Sequence, residues 1–374
     1  MTNERSGYIL TLTLLLLSLL SVIVSYMVWV GTAGSSFTRT VAAREKAREL
    51  AYGGMQLAFS QLSLIETSTA QSPHPASGQM AKKEGASDKP AVEANTQEDA
   101  AIIWMKTILP VLNRVQRFEL KEAVDGITAT MGICITCEQG KLDINQLYDF
   151  TNKKFVGHGT PDDMGQLCQQ FFALLKPAIK IDLFPPLEKF LKKREAPLDD
   201  ITELLLIPEF AQAFKAHVCI DTAMPIDKKA PRPFAITDLF TLYNGSKGMN
   251  MLCLSDSIAG VLQLNRVREG DIEERIKHFA SIFEAKDVHN KLSGTVETVW
   301  NNILKKPYGK EFKQVSTVGQ KLCAVPNPIT HFSIVVYAQV DGITEKIFAI
   351  IEKRMTTKEG KEAQGFIVDR LYWL

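Results

Sequence analysis

The chain has 374 residues, a formal net charge of +1 at pH 7, and 45% hydrophobic residues. A charge this close to zero gives no general electrostatic attraction to nucleic acid, so we expect no nucleic-acid partner. The 6 cysteines are too few for a disulfide-dense scaffold, although an even number suits an exported protein with a few bridges. The length allows roughly two domains of ordinary size after an apolar N-terminal segment.

The apolar segment runs without charge from Tyr8 to Val30, long enough to cross a bilayer as a helix. It could be a cleaved signal peptide, a plain membrane anchor or a more specialised anchor. The small residues 31–33 resemble a cleavage site, but the run exceeds the roughly 7–15 residues of a signal-peptide core. The span alone favours the plain anchor.

The residues after the apolar run predict that the same helix continues to about Ile65, since no proline interrupts them. Small residues recur every three or four positions and therefore form one stripe: Ala43, Ala47, Ala51, Gly54 and Ala58. Larger residues are expected to widen this face: Leu50, Leu57, Leu62 and Ile65. Charged residues are expected on the opposite side: Arg44, Glu45, Arg48 and Glu49. Such a stripe lets another backbone approach closely, although an ordinary amphipathic core helix shows the same pattern.

Residues 66–99 predict a flexible linker, because they hold too little apolar surface to offset the entropy of ordering them. A short helix is predicted at 100–112.

Strand-like alternation over 118–145 surrounds Asp125-Gly126, which predicts a hairpin. Cys134 and Cys137 would point to opposite faces of such a strand, so we expect no metal between them.

The N-terminus resembles a class III, prepilin-type signal, in which a short leader ending in glycine precedes an apolar helix that stays attached. In that family the prepilin peptidase cuts after the glycine, here Gly7, which implies Tyr8 as the mature N-terminus. Most members carry a glutamate at mature position five, where this chain has Leu12. That departure is typical of one subfamily, the K-type minor pseudopilins of type II secretion systems.

The segment after the predicted hairpin resembles the same subfamily. A turn made of Glu138, Gln139, Gly140 and Lys141 precedes an apolar–X–Ile–Asn pattern that ends in Ile144 and Asn145. A simple turn followed by a strand and an N-cap at Asn145 explains these residues equally well. Both interpretations place the end of a strand near residue 140.

Two further segments are similar to elements of the K-type helical insert and the strand after it. The first contains Leu204 and Pro208, with Phe210 in place of the family's glycine; the second contains Asn250. The first also resembles a helix-hairpin-helix DNA-binding motif. We reject that interpretation because Glu209 and Phe210 replace the glycines whose amides would approach phosphate.

The C-terminal residues predict an antiparallel meander, which is similar to the end of the K-type pseudopilins. Residues 332–340 alternate, Asp341-Gly342 turns the chain, and strands are predicted at Lys346–Arg354 and Phe366–Trp373.

Together these segments predict an α+β fold: a long transmembrane, pilin-like helix packed on an antiparallel sheet, with a large inserted α-helical domain. The predicted parts are a leader at 1–7, the long helix at 8–65, the linker at 66–99, the first part of the α+β domain at 100–160, the helical insert at 161–285 and the strands that complete the α+β domain at 286–374.

The resemblance implies a minor pseudopilin that caps the tip of a periplasmic pseudopilus and helps to initiate assembly and export. It implies a single pass through a bacterial inner membrane, a periplasmic globular part, and other minor pseudopilins and the prepilin peptidase as partners. Basic residues after the span outnumber Arg5 before it, which taken alone favours the opposite orientation. Calcium binding occurs in some family members, but we assign no ligands here.

Catalytic motifs are absent from the sequence, including GxSxG, HExxH, the Walker A motif and GxGxxG. We therefore expect no enzyme. Two alternatives stay open: a membrane-anchored envelope enzyme that uses the acids and cysteines of 134–256, and a minor pilin of a type IV pilus.

Overall fold

The structure is a computed structural model that describes residues 4–70, 105–160, 163–215, 217–220, 233–265, 272–283, 292, 294–324, 329–358 and 361–374. Within these ranges the side chains of 4–11, 64–70, 272, 275 and 355–364 are not described. The predicted linker at 66–99 lies outside the described residues beyond Ala70. The first part of the helix predicted at 100–112 also lies outside them, and residues 105–108 form one helical turn.

A single helix, α1, spans Glu4–Ala70 and contains 67 residues. At a rise of 1.5 Å per residue it is roughly 100 Å long. The large apolar residues from Leu12 to Val30 are 45–68% exposed, whereas the small residues of the predicted stripe, from Ala43 to Ala58, are buried. The predicted continuation of the apolar run into a packed helix is confirmed.

The core of the fold is a five-stranded antiparallel sheet with the strand order β1-β2-β9-β10-β11. Its strands are β1 (Val115–Leu120), β2 (Ala129–Cys137), β9 (His331–Val340), β10 (Ile343–Lys358) and β11 (Lys361–Trp373). Because β9 pairs with both β2 and β10, the strands at 115–137 and those at 331–373 belong to one sheet.

The C-terminal meander is confirmed, with longer second and third strands than predicted. Val340 pairs with Ile343, so only two residues connect β9 to β10. Asp341 and Gly342 have φ values of 49° and 81°, which is the backbone geometry that a two-residue hairpin turn needs.

The predicted hairpin between β1 and β2 forms, but the expected tight turn at Asp125-Gly126 is wrong. A one-turn helix, α2 (Glu122–Asp125), lies in the connection, and Gly126 caps its end with φ 70°. The amide of Lys121 donates to the Asp125 carboxylate at 2.8 Å, which holds the turn closed. The Asp-Gly pair therefore ends a helix in place of joining two strands directly.

The small-residue stripe of α1 lies against β2, β9 and β10. The five predicted residues of the stripe are all buried. Gly54 shows why small residues are needed, because an added Cβ would lie 2.6 Å from Met131 Sδ and 2.7 Å from Val336 Cγ1. Close approach of the helix to the sheet thus depends on the absence of a side chain at this position.

Two details of the predicted helix faces differ from the structure. Leu57 is 38% exposed and does not widen the buried face, while Leu50 and Leu62 do. The side chain of Ile65 lies outside the described residues. Arg44 and Arg48 do not point away from the sheet, because both reach Glu345 on β10, at 2.5 and 3.3 Å. Long side chains at the edge of the stripe can bend back to the strand, which periodicity alone does not show.

Short helices and strands make up most of the described part of residues 142–324. The strands are β3 (Leu142–Asp143), β4 (Tyr148–Asp149), β5 (Lys154–Phe155), β6 (Phe240–Thr241), β7 (Met249–Asn250) and β8 (Cys323–Ala324). The α-helices are α3 (Ile144–Leu147), α4 (Met164–Ile179), α5 (Phe184–Lys193), α6 (Pro208–Phe214), α7 (Ile236–Leu239), α8 (Asp256–Val261), α9 (Ile272–Phe283), α10 (Val296–Val299), α11 (Lys305–Tyr308) and α12 (Thr317–Leu322). Other helical turns lie at Glu138–Gly140, Ile201–Leu206, Met251–Cys253, Trp300–Leu304 and Phe312–Gln314.

The predicted division at residue 285 does not match the secondary structure. Helices continue to Leu322, and the long strands begin only at His331. Parallel pairing of β7 with β8 joins residues 249–250 to 323–324. The described residues from 294 to 322 are thus mainly helical, although strands were predicted from residue 286 onward.

Candidate functional site

The most unusual surface of the molecule is the first half of α1. Among the described residues, α1 is the one helix long and apolar enough to cross a membrane, and its most apolar stretch has no contact with the rest of the chain. Leu12 is 48% exposed on this surface. Gly7 and Tyr8 lie in the same helix, and their side chains are outside the described ones. A surface of this kind is stable in water only when lipid or other apolar helices cover it.

The predicted motif at 138–141 forms a buried turn directly after β2. Glu138, Gln139 and Gly140 form a 3₁₀ turn, and all three are buried. Lys141 is fully buried, and its ammonium group contacts the Glu138 carboxylate and donates to Ser333 Oγ at 2.8 Å. The second carboxylate oxygen of Glu138 accepts from Thr241 Oγ1. Because both charges are paired and hydrogen-bonded, the turn can lie in the core; removing one partner would leave an uncompensated buried charge.

Gly140 is the contact point between this turn and the segment after β7. A Cβ added at Gly140 would clash with the carbonyl oxygen of Cys253 and would lie 2.9 Å from Leu254 Cα. The Gly140 carbonyl also accepts from the amide of Ser255 at 3.3 Å. The glycine of the motif is therefore required for backbone-to-backbone packing, and its φ is not positive.

Asn145 has a different role from the N-cap that its position suggests. The N-cap of α3 is Asp143, whose carboxylate accepts from the amides of Asn145 and Gln146 at 3.0 and 3.3 Å. The Asn145 side chain instead donates to the carbonyl of Leu198 and accepts from its amide, both at 2.9 Å. It thereby fastens the loop before the turn at 201–206. Ile144 packs in the core at 1% exposure.

Asp143 is the most perturbed carboxyl group near the motif. Its second oxygen accepts from the amides of Asn244 and Gly245 at 3.1 and 3.2 Å. Burial raises the pKa of Asp143 to about 6, although its four backbone amide donors lower it. All of its described partners are amides of turns, which indicates a role in holding the loops at 143–146 and 244–245 together.

The predicted elements of the helical region also serve as helix starts and core contacts. Leu204 is fully buried, and Pro208 begins α6 on the surface. Asp200 and Glu203 form a capping box before Leu204. Phe210, at the position of the expected glycine, is fully buried with its ring centroid 6.1 Å from that of Phe172. A large aromatic residue fits here because it fills the core in place of allowing close backbone approach.

Asn250 caps the turn at Met251–Cys253 by accepting from the amide of Leu252 at 3.0 Å. The structure thus brings the predicted residues of 138–145 next to 250–255, and fastens Leu198 to Asn145. The processing residues Gly7 and Tyr8, together with Leu12, belong to the exposed end of α1. The predicted residues consequently form two separate groups.

Several contacts between distant residues were not predicted from the sequence. Glu345 forms ion pairs with Arg44 and Arg48. The Asp200 carboxylate contacts the Tyr372 hydroxyl. Asp238 accepts from the amide of Ser257 at 2.7 Å. These partners are separated by many residues and follow no periodic pattern, so no local signal pairs them.

A metal centre is not formed by the part of the chain that the structure describes, where no three His, Cys, Asp or Glu residues lie close enough to hold an ion. Calcium binding stays a prediction from resemblance. Cys134 and Cys137 face opposite sides of the sheet, as predicted, because Cys134 packs with Val335 and Phe348 while Cys137 joins the main core.

No family model matches this chain, and no curated protein matches it. Among solved structures, a match comes from the crystal structure of the GspK-GspI-GspJ complex of the type II secretion system of enterotoxigenic Escherichia coli. The sequence identity is 11%, the TM-score is 0.37, and the match covers 88% of this chain and 99% of the other. A similarity of this size carries no functional assignment.

Proposed function

We propose that this chain is a K-type minor pseudopilin that caps the tip of the periplasmic pseudopilus of a type II secretion system and helps to initiate assembly and export. The observation that carries this proposal is the division of α1 into an exposed apolar half and a half that packs on the sheet through small residues. The resemblance of the leader and the interior motifs to that subfamily supplies the specific assignment.

The exposed half of α1 suits both the membrane-anchored chain before assembly and the assembled pseudopilus. Residues 12–30 would extend about 28 Å as a helix, close to the roughly 30 Å hydrocarbon thickness of a bilayer. Before assembly this half would anchor the chain in the inner membrane, with the globular part in the periplasm. After extraction, the same apolar surface would pack against the helices of other minor pseudopilins.

Leu12 supports a position at the tip. A carboxylate at this position would be buried among apolar helices and would cost several kcal/mol without a partner. A subunit with nothing stacked above it has no neighbouring N-terminus for such a carboxylate. An apolar residue is the favourable choice there, and the bulky helical region would obstruct growth beyond it.

The proposed role is non-enzymatic. Three acids of the 134–256 region already have structural partners: Glu138 pairs with Lys141, and Asp143 and Asp200 hold turns. A minor pilin of a type IV pilus is the second candidate, because the helix and leader suit that role too. A gene neighbourhood with a secretion ATPase and other pseudopilins would favour the first.

The proposal predicts both processing and partner binding of the full chain. Co-expression with a prepilin peptidase and the minor pseudopilins of its gene cluster should yield a mature protein that begins at Tyr8. The processed chain should co-purify with those partners at a fixed ratio from detergent, and should form no filaments alone. N-terminal sequencing and light scattering provide the measurements.

Two glycine variants make this test specific. Gly7→Ala should block processing. Gly31→Ala, at the alternative cleavage site, should leave processing after Gly7 unchanged and should not disturb the fold, since the added Cβ would meet no other atom within 4 Å. A mature N-terminus at Gly34 would favour a signal peptide, and filaments of this chain alone would contradict the capping role.

A further inference from the structure

The two outer strands of the five-stranded sheet differ in length and in the side chains that they expose. Within the described part of the chain, β1 and β11 each pair on one side alone. β1 has 6 residues, and its exposed side chains are the charged Arg117 and Glu119. Charges of this kind keep other strands from adding to an edge. β11 has 13 residues and exposes large apolar side chains at 39–44%: Val368, Leu371 and Trp373.

The apolar side chains of β11 lie on the face of the sheet that α1 covers. Their pairing partners on β10 all belong to the main core: Ile351, Ala349 and Ile347. Phe59 of α1 contacts the Phe366 ring, with 5.9 Å between the centroids, and the Arg48 guanidinium lies 5.6 Å from the centre of the Trp373 ring. Trp373 nevertheless stays 44% exposed. The apolar face of the sheet therefore extends beyond the helix that packs on it.

The same apolar surface continues along α1 towards its exposed half. Phe37, Val41, Arg48 and Tyr52 follow one another at intervals of four or seven residues, which are close to whole turns of a helix. They therefore lie on one flank of α1, and the contact of Arg48 with Trp373 shows that this flank faces β11. Three of them are exposed apolar residues: Phe37 at 71%, Val41 at 42% and Tyr52 at 50%. One surface thus connects the apolar half of α1 with the edge of the sheet.

The backbone of β11 adds hydrogen-bonding groups to this surface. The Leu374 amide donates to the Lys346 carbonyl at 3.0 Å, so it points to β10. Because the direction alternates along an antiparallel strand, the Tyr372 amide also points to β10, whereas the amides of Leu371 and Trp373 point away from it. The charges nearby, Asp369 and Arg370, pair with each other at 3.9 Å. The edge thus offers free amides and apolar side chains without a net charge.

We propose that a strand of another minor pseudopilin adds to β11 and extends the sheet, while the apolar helix of that partner packs on the β11 flank of α1. The inference rests on the proposed function for the class of partner. An extended strand fits this edge because it pairs with the outward backbone groups and covers the apolar side chains at the same time. The partner strand should carry apolar residues at alternate positions on the side towards α1, and no lysine among them.

The first test measures binding of the full-length chain in detergent to each minor pseudopilin of its gene cluster, one at a time. Leu371→Lys should weaken the complex at least about tenfold, since it places a charge in the covered row. Leu206→Lys is the matched control, because Leu206 is a leucine outside the sheet that is 72% exposed. It should leave the affinity unchanged. Circular dichroism checks that both variants are folded.

The second test needs no variant and separates a strand from a helix as the occupant. Hydrogen exchange, resolved to single amides, compares the wild-type chain with its complex. The amides of Leu371 and Trp373 should exchange at least about tenfold more slowly in the complex, because they gain hydrogen bonds. The amides of Tyr372 and Leu374 already have partners on β10 and should change little. Those of β1 should not change.

The outcomes distinguish this inference from the proposed function. A complex in which the amides of Leu371 and Trp373 stay unprotected would overturn strand addition and leave the pseudopilin role intact. Equal affinities of the two lysine variants would do the same. A dimer of this chain through β11 would overturn the choice of partner. The absence of a complex with every partner would contradict the proposed function together with this inference.

Discussion

The two halves of α1 have the same backbone conformation and opposite surroundings. From Leu12 to Val30 the large apolar side chains are 45–68% exposed, whereas Ala47, Ala51 and Ala58 are fully buried. The first half carries large apolar side chains and is not buried against any described part of the chain, while the second half packs tightly with small residues. Hydrophobicity alone thus does not determine which half joins the core. The half that joins it is the one whose small side chains let the helix lie close to the sheet.

The largest expected effect comes from removing the exposed half. A chain lacking residues 1–35 should move completely from the membrane fraction to the soluble fraction, because the span is the apolar anchor. Its free energy of unfolding should change by less than about 0.5 kcal/mol relative to the full chain in detergent, since no core contact is lost. Fractionation and denaturant unfolding followed by circular dichroism are the measurements. An unfolded fragment would show that the exposed half also supports the fold.

The packed half is tested by two adjacent glycines with different surroundings. Gly54→Leu should lower the free energy of unfolding by about 3 kcal/mol, because Met131 and Val336 already occupy the space of its side chain. Gly53→Leu is the matched control, since a Cβ added at Gly53 would meet no atom of another turn or strand within 4 Å. It should raise stability by up to about 0.8 kcal/mol, because leucine favours helix more than glycine does. Chemical denaturation of both variants in the soluble fragment measures the difference, and equal values would refute tight packing at Gly54.

The smallest effect concerns the ion pairs at the edge of the packed half. Glu345→Gln should lower the free energy of unfolding by about 1 kcal/mol, because Glu345 is buried while Arg44 and Arg48 are partly exposed and screened by water. Glu45→Gln removes a pairing with Arg48 between two exposed groups at 3.4 Å, and should change stability by less than about 0.3 kcal/mol. Thermal unfolding at low and high salt separates the two variants. A Glu45→Gln effect as large as that of Glu345→Gln would show that burial does not matter here.

The buried turn at 138–141 shows the limit of comparing neighbouring residues. Gly140 looks like an ordinary turn glycine in the sequence, yet its backbone conformation needs no glycine. The absence of a side chain is required because Cys253 packs its backbone there. Likewise, Asn145 looks like an N-cap but binds the backbone of Leu198. Each residue was selected by resemblance, and its physical role became visible only with its distant partner.

The sequence by itself determined the elements that depend on local periodicity and turn chemistry. These are the apolar span, the small-residue stripe of α1, the opposite orientation of Cys134 and Cys137, and the two-residue turn at Asp341-Gly342. Each of them follows from a repeat of side chains along one helix or strand, or from two adjacent residues that accept positive φ.

Only the tertiary structure decided the contacts between distant segments. Glu138 and Lys141 are only three positions apart in the sequence. Their remaining hydrogen bonds in the core, however, are made with the distant residues Thr241 and Ser333. Directly after the helix that ends at Leu322, β8 pairs with β7, more than 70 residues earlier in the chain. Such contacts arise when the chain folds back on itself, and no pattern of neighbouring residues records which segments will meet.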